Sequence, residues 1–201
     1  MAKRRMGPET AATRTTLMDA VEAVMREDGY AALSARKVAA RAGLRYQIVF
    51  YYFETMDDLL LAAYRRRTES VMAQTEQALQ SPHPLHALWR DASNPFDASL
   101  TLEYMAMSNH NQLIRTETIA FGERMRRVVA ERLAARLAAP SDAEVFTPLG
   151  VTLGVTLMGS ILGFEAALGI SGGHEDPKTI AEWLLRRLEP DAPAVFAAER
   201  V

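Results

Sequence analysis

The stretch Ser34–Phe53, SARKVAARAGLRYQIVFYYF, decides how the rest of the chain is read. Ser34 is a good helix N-cap, since its hydroxyl accepts a backbone N–H left unpaired in the first turn, and the residues to Ala42 suit a helix. Gly43 stops that helix by tolerating the left-handed conformation of a tight reversal, and after Leu44 a second short helix is expected over about Arg45–Phe53. Two short helices joined by a glycine turn make a helix-turn-helix, whose second helix enters the DNA major groove while the first braces it. Spacing turns Val38, Ala39, Ala42, Leu44, Val49 and Phe53 inward and leaves Arg36, Lys37, Arg41, Arg45, Tyr46, Gln47, Phe50 and Tyr52 outward. Aromatics mixed with arginines and a glutamine are costly to leave in water but suit phosphates and base edges. The competing reading is a small helical hairpin whose aromatics pack on a neighbouring helix.

The flanks bear on that choice. A first helix is expected from about Glu9 to Asp28, with Leu17, Val21, Val24 and Met25 as its apolar stripe and Gly29 as its end. Downstream, Thr55 is an expected N-cap with Asp58 in the place of a capping-box acid, opening a helix that runs to near Gln80. With these flanks, residues 9–60 resemble the N-terminal domain of the TetR family of bacterial transcriptional repressors. MREDGY (Met25–Tyr30), LSARKVAARAG (Leu33–Gly43) and FYYFETMDDLL (Phe50–Leu60) follow one another in the family's order and spacing.

The resemblance implies a dimer that binds a two-fold symmetric, double-stranded DNA operator. Its contacts would come from Ser34, Arg36, Lys37, Arg45, Tyr46, Gln47, Ile48, Phe50, Tyr51 and Tyr52. It also implies a body that binds a small effector favouring a head spacing incompatible with the operator. The chain departs from the family's pattern at four of these positions or beside them. Arg45 stands where Ser or Thr is common, so a side-chain cap gives way to a cation that can receive a phosphate. Phe50 replaces a tyrosine and Met56 a lysine, removing two phosphate contacts for which Arg36, Lys37 and Arg45 are the candidates to compensate. Ile48 stands where a small or hydroxylated residue is usual, and either touches a thymine methyl or is packed.

Composition agrees with a soluble globular protein of one domain, or of a small domain fused to a larger one: 201 residues, 49% hydrophobic and 24% charged. The absence of cysteine excludes disulfides, thiolate zinc sites and cysteine nucleophiles. MAKRRMGPET has no apolar core of the signal-peptide kind, so a cytoplasmic protein is expected. Charge is unevenly divided. Residues 1–53 hold nine Lys or Arg against five acids, a net of +4, leaving −6 for the rest of a chain whose total is −2. A basic head on an acidic body fits phosphate attraction, which is local and screened beyond about 10 Å.

In the body, SPHP (Ser81–Pro84) breaks the long helix, and helices are expected over about Leu85–Ala92, Phe96–Asn109 and Gln112–Ala138, the last punctuated by Pro140 and Ser141. Val145–Phe164 then runs without a charge and carries Gly150, Gly154, Gly159 and Gly163 in two GxxxG spacings. That length spans a bilayer, and such glycines let membrane helices approach closely. Thr and Ser dilute the run, however, and no aromatic belt or basic flank brackets it, so a buried helix of a soluble protein is the alternative. The resemblance supplies a use: the last two long helices pair with their twins in a homodimer, with no membrane involved, the glycine face allowing close approach. A final helix is expected after Asp176 as cap and Pro177, through Trp183, Leu184, Leu185 and Leu188 to Pro190. The whole is expected to be an all-α fold of about nine helices, and the resemblance implies a DNA-binding domain over residues 1–55 and an effector-binding and dimerisation domain over residues 56–201.

No glycine-rich phosphate loop or GxSxG elbow is present. His83 and His86 form an HxxH without further ligands and read as a surface pair, so no metal or other cofactor is expected. His174, Glu175 and Asp176 read as cap and solvent residues. His110, flanked by Asn109 and Asn111, either lines a mostly apolar pocket with Tyr104 and Met107 or is an ordinary satisfied histidine. For the effector the candidates are Trp89, Phe96, Tyr104, Met107, His110, Phe121, Met125 and Met158, and the ten methionines suit an apolar molecule. A helical enzyme using His110 and a membrane-associated protein are the rival readings.

Overall fold

The structure, a computed structural model, describes residues 8–134 and 147–193. Among the described residues every regular element is helical: α1 (Pro8–Asp28), a 3-10 turn (Tyr30–Ala32), α2 (Ala35–Arg41), α3 (Gln47–Tyr52), α4 (Met56–Gln80), α5 (Pro84–Ala92), α6 (Pro95–Ser108), α7 (Gln112–Ala134), α8 (Pro148–Ala167) and α9 (Glu175–Leu188). The all-α expectation is borne out. Lys3, Arg4 and Arg5, the expected end of α7 at Ala138, and Pro140 and Ser141 lie outside the described residues.

Local chemistry accounts for most helix ends. Ser34 Oγ accepts from the Lys37 N–H at 3.3 Å, and Gly43, at φ 68°, makes the left-handed reversal after α2. Thr55 and Asp58 form a reciprocal capping box: Asp58 N donates to Thr55 Oγ1 at 3.1 Å and Thr55 N to Asp58 Oδ2 at 3.0 Å. Thr147 caps α8 by accepting from Gly150 N at 3.1 Å, with Pro148 in the first turn. At α9 the expected cap moves: His174 is the N-cap residue, and Asp176 lies inside the first turn, where its charge faces the positive end of the helix dipole.

The chain forms two compact units. The first joins residues up to Glu69 with Leu100–Ala120, and the second joins Ser70–Ser99 with the chain from Phe121 onward. The expected boundary at 55/56 therefore falls inside the first unit. The reason is packing: Leu17, Val21 and Met25 of α1 share one core with Leu59, Ala63 and Tyr64 of α4, and that core also takes Leu100, Tyr104, Met107 and Ile114. Polar contacts reinforce it. Glu103 accepts the Tyr30 N–H at 2.7 Å beside Gly29, which has φ 79°, and Arg66 pairs with Asp19 at 2.6 Å and Glu22 at 3.2 Å.

The second unit is built on α5 against α8, with Trp89 fully buried. A Cβ on Gly159 would lie 3.3 Å from Ala92 Cβ, and one on Gly163 would lie 3.3 Å from the Ser93 backbone, so a side chain at either position would require α5 or its C-cap to give way by a few tenths of an ångström. Gly154 faces open space. The four glycines thus do not form one face reserved for a twin: the later two are occupied within the chain. By length and composition α8 meets the requirements of a membrane span, with mean hydropathy 1.5, while 33% of that window is buried in the chain.

Two histidines depart from expectation. His86 is buried, not a surface residue: its Nδ1 lies 2.6 Å from Glu189 Oε2, and the same carboxylate accepts the Leu85 and His86 backbone N–H groups at 2.9 and 3.1 Å. Glu189 thereby caps α5 from 104 residues downstream. His174 is buried as well, with Nε2 2.8 Å from Glu165 Oε2.

Candidate nucleic-acid interface

Helix α3 is only six residues long, and its anchoring follows from which of them are apolar on one side. Val49 and Phe53 enter the core of the first unit, and Ile48 and Tyr52 pack half-buried against it. That leaves Tyr46 (43% exposed), Gln47, Phe50 (48%) and Tyr51 (64%) in solvent. Exposing three large aromatics on one short segment is a marked departure from the usual surface. The helix begins at Gln47, two residues later than expected. Tyr46 is its N-cap residue with helical dihedrals and no side-chain cap, and Arg45 is exposed just before it.

The α2 side chains share this surface. The Arg36 guanidinium lies over the Tyr46 ring, 5.7 Å from its centroid, a distance at which a cation is attracted by the ring face. Lys37 is held 3.2 Å from Asp28, and Arg41 pairs with Glu27, both acids at the end of α1. Exposed pairs of this kind contribute about 0–1 kcal/mol, so transfer of Lys37 to a phosphate costs little. Ser34 is engaged as the α2 cap. Of the two readings of Ile48, packing is the one observed. Tyr52, expected outward, instead stands edge-on to Tyr51 at 5.0 Å and props that exposed ring. Arg14 joins this face as well, its guanidinium reaching Tyr52 O from 38 residues upstream. No local pattern announces a contact across that separation.

The effector candidates fall in both units. Tyr104 and Met107 belong to the first core, where burial pushes the Tyr104 hydroxyl's pKa well above its ordinary value and leaves that hydroxyl without a hydrogen-bond partner. His110 is exposed and lies parallel to Tyr30, with ring centroids 6.3 Å apart. In the second unit Trp89 is at the centre of the core with Met125 and Met158 packed against it, Phe121 is half-buried and Phe96 is 67% exposed. An open groove of about 650 Å³ in the same unit has a mixed lining, with Gln74, Gln77, His83, His86 and Asn94 beside Ala78, Pro82 and Ala87. No local pattern along the chain announces it.

Residues 17–63 match the family profile of bacterial regulatory proteins, tetR family. No curated protein matches the chain. Among solved structures the chain is similar to a TetR-family transcriptional regulator from Rhodococcus sp., at 14% identity and a TM-score of 0.68, covering 89% of this chain and 99% of that one. A TetR transcription regulator from Haloarcula marismortui is similar at 20% identity and a TM-score of 0.64, covering 89% and 98%. So is the multidrug binding protein EbrR complexed with imidazole, at 24% identity and a TM-score of 0.56, covering 91% and 93%.

Proposed function

We propose that this chain is a TetR-like DNA-binding regulator, a cytoplasmic repressor that grips a two-fold symmetric operator as a homodimer; the match of residues 17–63 to the tetR family profile and the shared fold of the solved regulators support that reading. The observation that carries the reading is the exposed cluster of Tyr46, Gln47, Phe50 and Tyr51 beside Arg36 and Arg45. Gln47 can bond an adenine in two places, the aromatic rings suit sugar and methyl surfaces, and the arginines suit phosphates or guanine. Lys37, Ser34 and Tyr52 support that face from behind or at its rim. In this reading residues 1–55 carry the DNA contacts, and the remainder serves effector binding and dimerisation.

Dimerisation is assigned to the outward stripes of α8 and α9. Leu157, Ile161, Ile180 and Trp183 are each more than half exposed, an apolar area that a second copy would cover. A small, mostly apolar effector bound in the body would release the operator by favouring the conformation that does not fit it. The structure of EbrR with imidazole supports the capacity of the fold to hold a small molecule. No turnover belongs to this function.

Selection of bound DNA from random duplexes tests the proposal. Enrichment of a two-fold symmetric site with half-sites about one helical turn apart is the expected result. Recovery of no enriched sequence, or of an asymmetric single half-site, overturns it.

A further inference from the structure

The contacts of Arg14 reach beyond the helix that carries it. Its Nη1 donates to Tyr52 O at 2.5 Å, and its guanidinium carbon lies 4.0 Å above the centre of the Phe53 ring. Tyr52 is the last residue of α3 and Phe53 its C-cap, extended at φ −135° and ψ 129°. The last four carbonyls of any helix lack helical partners, and in a six-residue helix those four are most of the element. A cation at that end also meets the negative pole of the helix dipole. Phe53 is itself buried, so the guanidinium is held between a backbone carbonyl and a ring packed into the core.

We propose that Arg14 is a positioning residue for DNA reading: it pins the exit of α3 to α1 and so fixes the attitude at which Tyr46, Gln47, Phe50 and Tyr51 are presented. Arg14 touches no base or phosphate in this role. The proposal rests on α3 being the DNA-reading element, and the test separates the two ideas. Lysine keeps the charge but has neither the planar fork nor the stacking face, so Arg14→Lys removes the geometry and preserves the electrostatics.

Amide hydrogen exchange on the free protein reads the positioning directly. Arg14→Lys and Arg14→Ala are expected to speed exchange over residues 48–53 roughly tenfold, the effect of losing one charge-assisted hydrogen bond, while α8 and α9 keep the parent rates. Binding to the selected operator reads the consequence. Both variants are expected to lose affinity by roughly tenfold with an unchanged slope of log affinity against log salt, because no phosphate contact is lost. Full rescue by lysine, unchanged exchange over residues 48–53, or a slope reduced by about one ion would overturn the role given to Arg14. Faster local exchange in the variants, together with a parent protein that selects no DNA, would leave the pinning intact and remove the DNA reading instead. A uniform rise in exchange across both units would mark Arg14 as a general stability residue and overturn the proposal.

Discussion

Two of the surfaces that expose large apolar side chains, one on α2 and α3 and one on α8 and α9, differ in what lies between those side chains. On α2 and α3, Tyr46, Phe50 and Tyr51 alternate with Arg36, Arg45 and Gln47. On α8 the outward stripe of Gly150, Gly154, Leu157 and Ile161 contains no charge at all, and α9 adds Ile180 and Trp183. Apolar groups interleaved with cations match a partner that is charged, grooved and hydrated. Apolar groups without any charge match a partner that is equally dry, and a second copy of the same stripe is such a partner. Exposed hydrophobicity alone does not discriminate the two; the polar residues in the gaps do.

The largest effect should come from placing charge on the dry stripe. Leu157→Asp with Ile161→Asp would bury four carboxylates in a two-fold interface, and self-association measured by sedimentation should weaken by at least about a hundredfold. A parent protein that sediments as a monomer at every concentration would break the comparison outright. Next, the glycines of α8 divide its inner from its outer side. Gly163→Ala sets a methyl against the Ser93 backbone and should lower stability by about 1–3 kcal/mol in chemical denaturation. Gly154→Ala meets open space in the single chain and should raise the stability of the monomer by up to about 1 kcal/mol; if it weakens self-association instead, Gly154 lies in the seam.

On the charged surface, Arg45→Ala should reduce operator affinity by roughly tenfold and lower the salt slope by about one ion. Affinity and slope that both stay at parent values would remove Arg45 from the phosphate contacts. The smallest effect concerns Tyr104, an aromatic of the opposite kind, wholly inside and with its hydroxyl unpartnered. Tyr104→Phe should leave stability at neutral pH unchanged or raise it by less than about 1 kcal/mol. The sign of its pH dependence is fixed. Burial raises the folded-state pKa above the ordinary value of 10.0, so the unfolded chain loses the proton first and this contribution to stability falls as pH rises above 10. In Tyr104→Phe that part of the alkaline decline should be absent from the pH profile of denaturation.

What was legible in the sequence was what chemistry encodes within one turn of helix. The Ser34 cap, the Gly43 reversal, the Thr55–Asp58 box and the ends of α4 all stand as the residues indicated. The inward set of Val38, Ala39, Val49 and Phe53 was equally readable, because helical spacing alone sorts it. Illegible were the pairings that only tertiary packing creates. Arg14 meets Tyr52, Glu103 captures Tyr30 and Glu189 holds His86 across separations of 38, 73 and 103 residues. The capping expectation at α9 missed by two residues because His174 is drawn inward to Glu165, an attraction that Asp176 and Pro177 do not register. Likewise the GxxxG pattern signals close approach without naming the neighbour, which for Gly159 and Gly163 is α5 of the same chain.

The Glu189 cap carries a consequence for the order in which the protein assembles. During synthesis α5 leaves the ribosome long before the carboxylate that its first turn requires, 104 residues later. Until that carboxylate emerges, the Leu85 and His86 amides must make do with water. The body of the molecule is in this sense buttoned late, and α5 can take its final hold only after Glu189 has emerged to meet it.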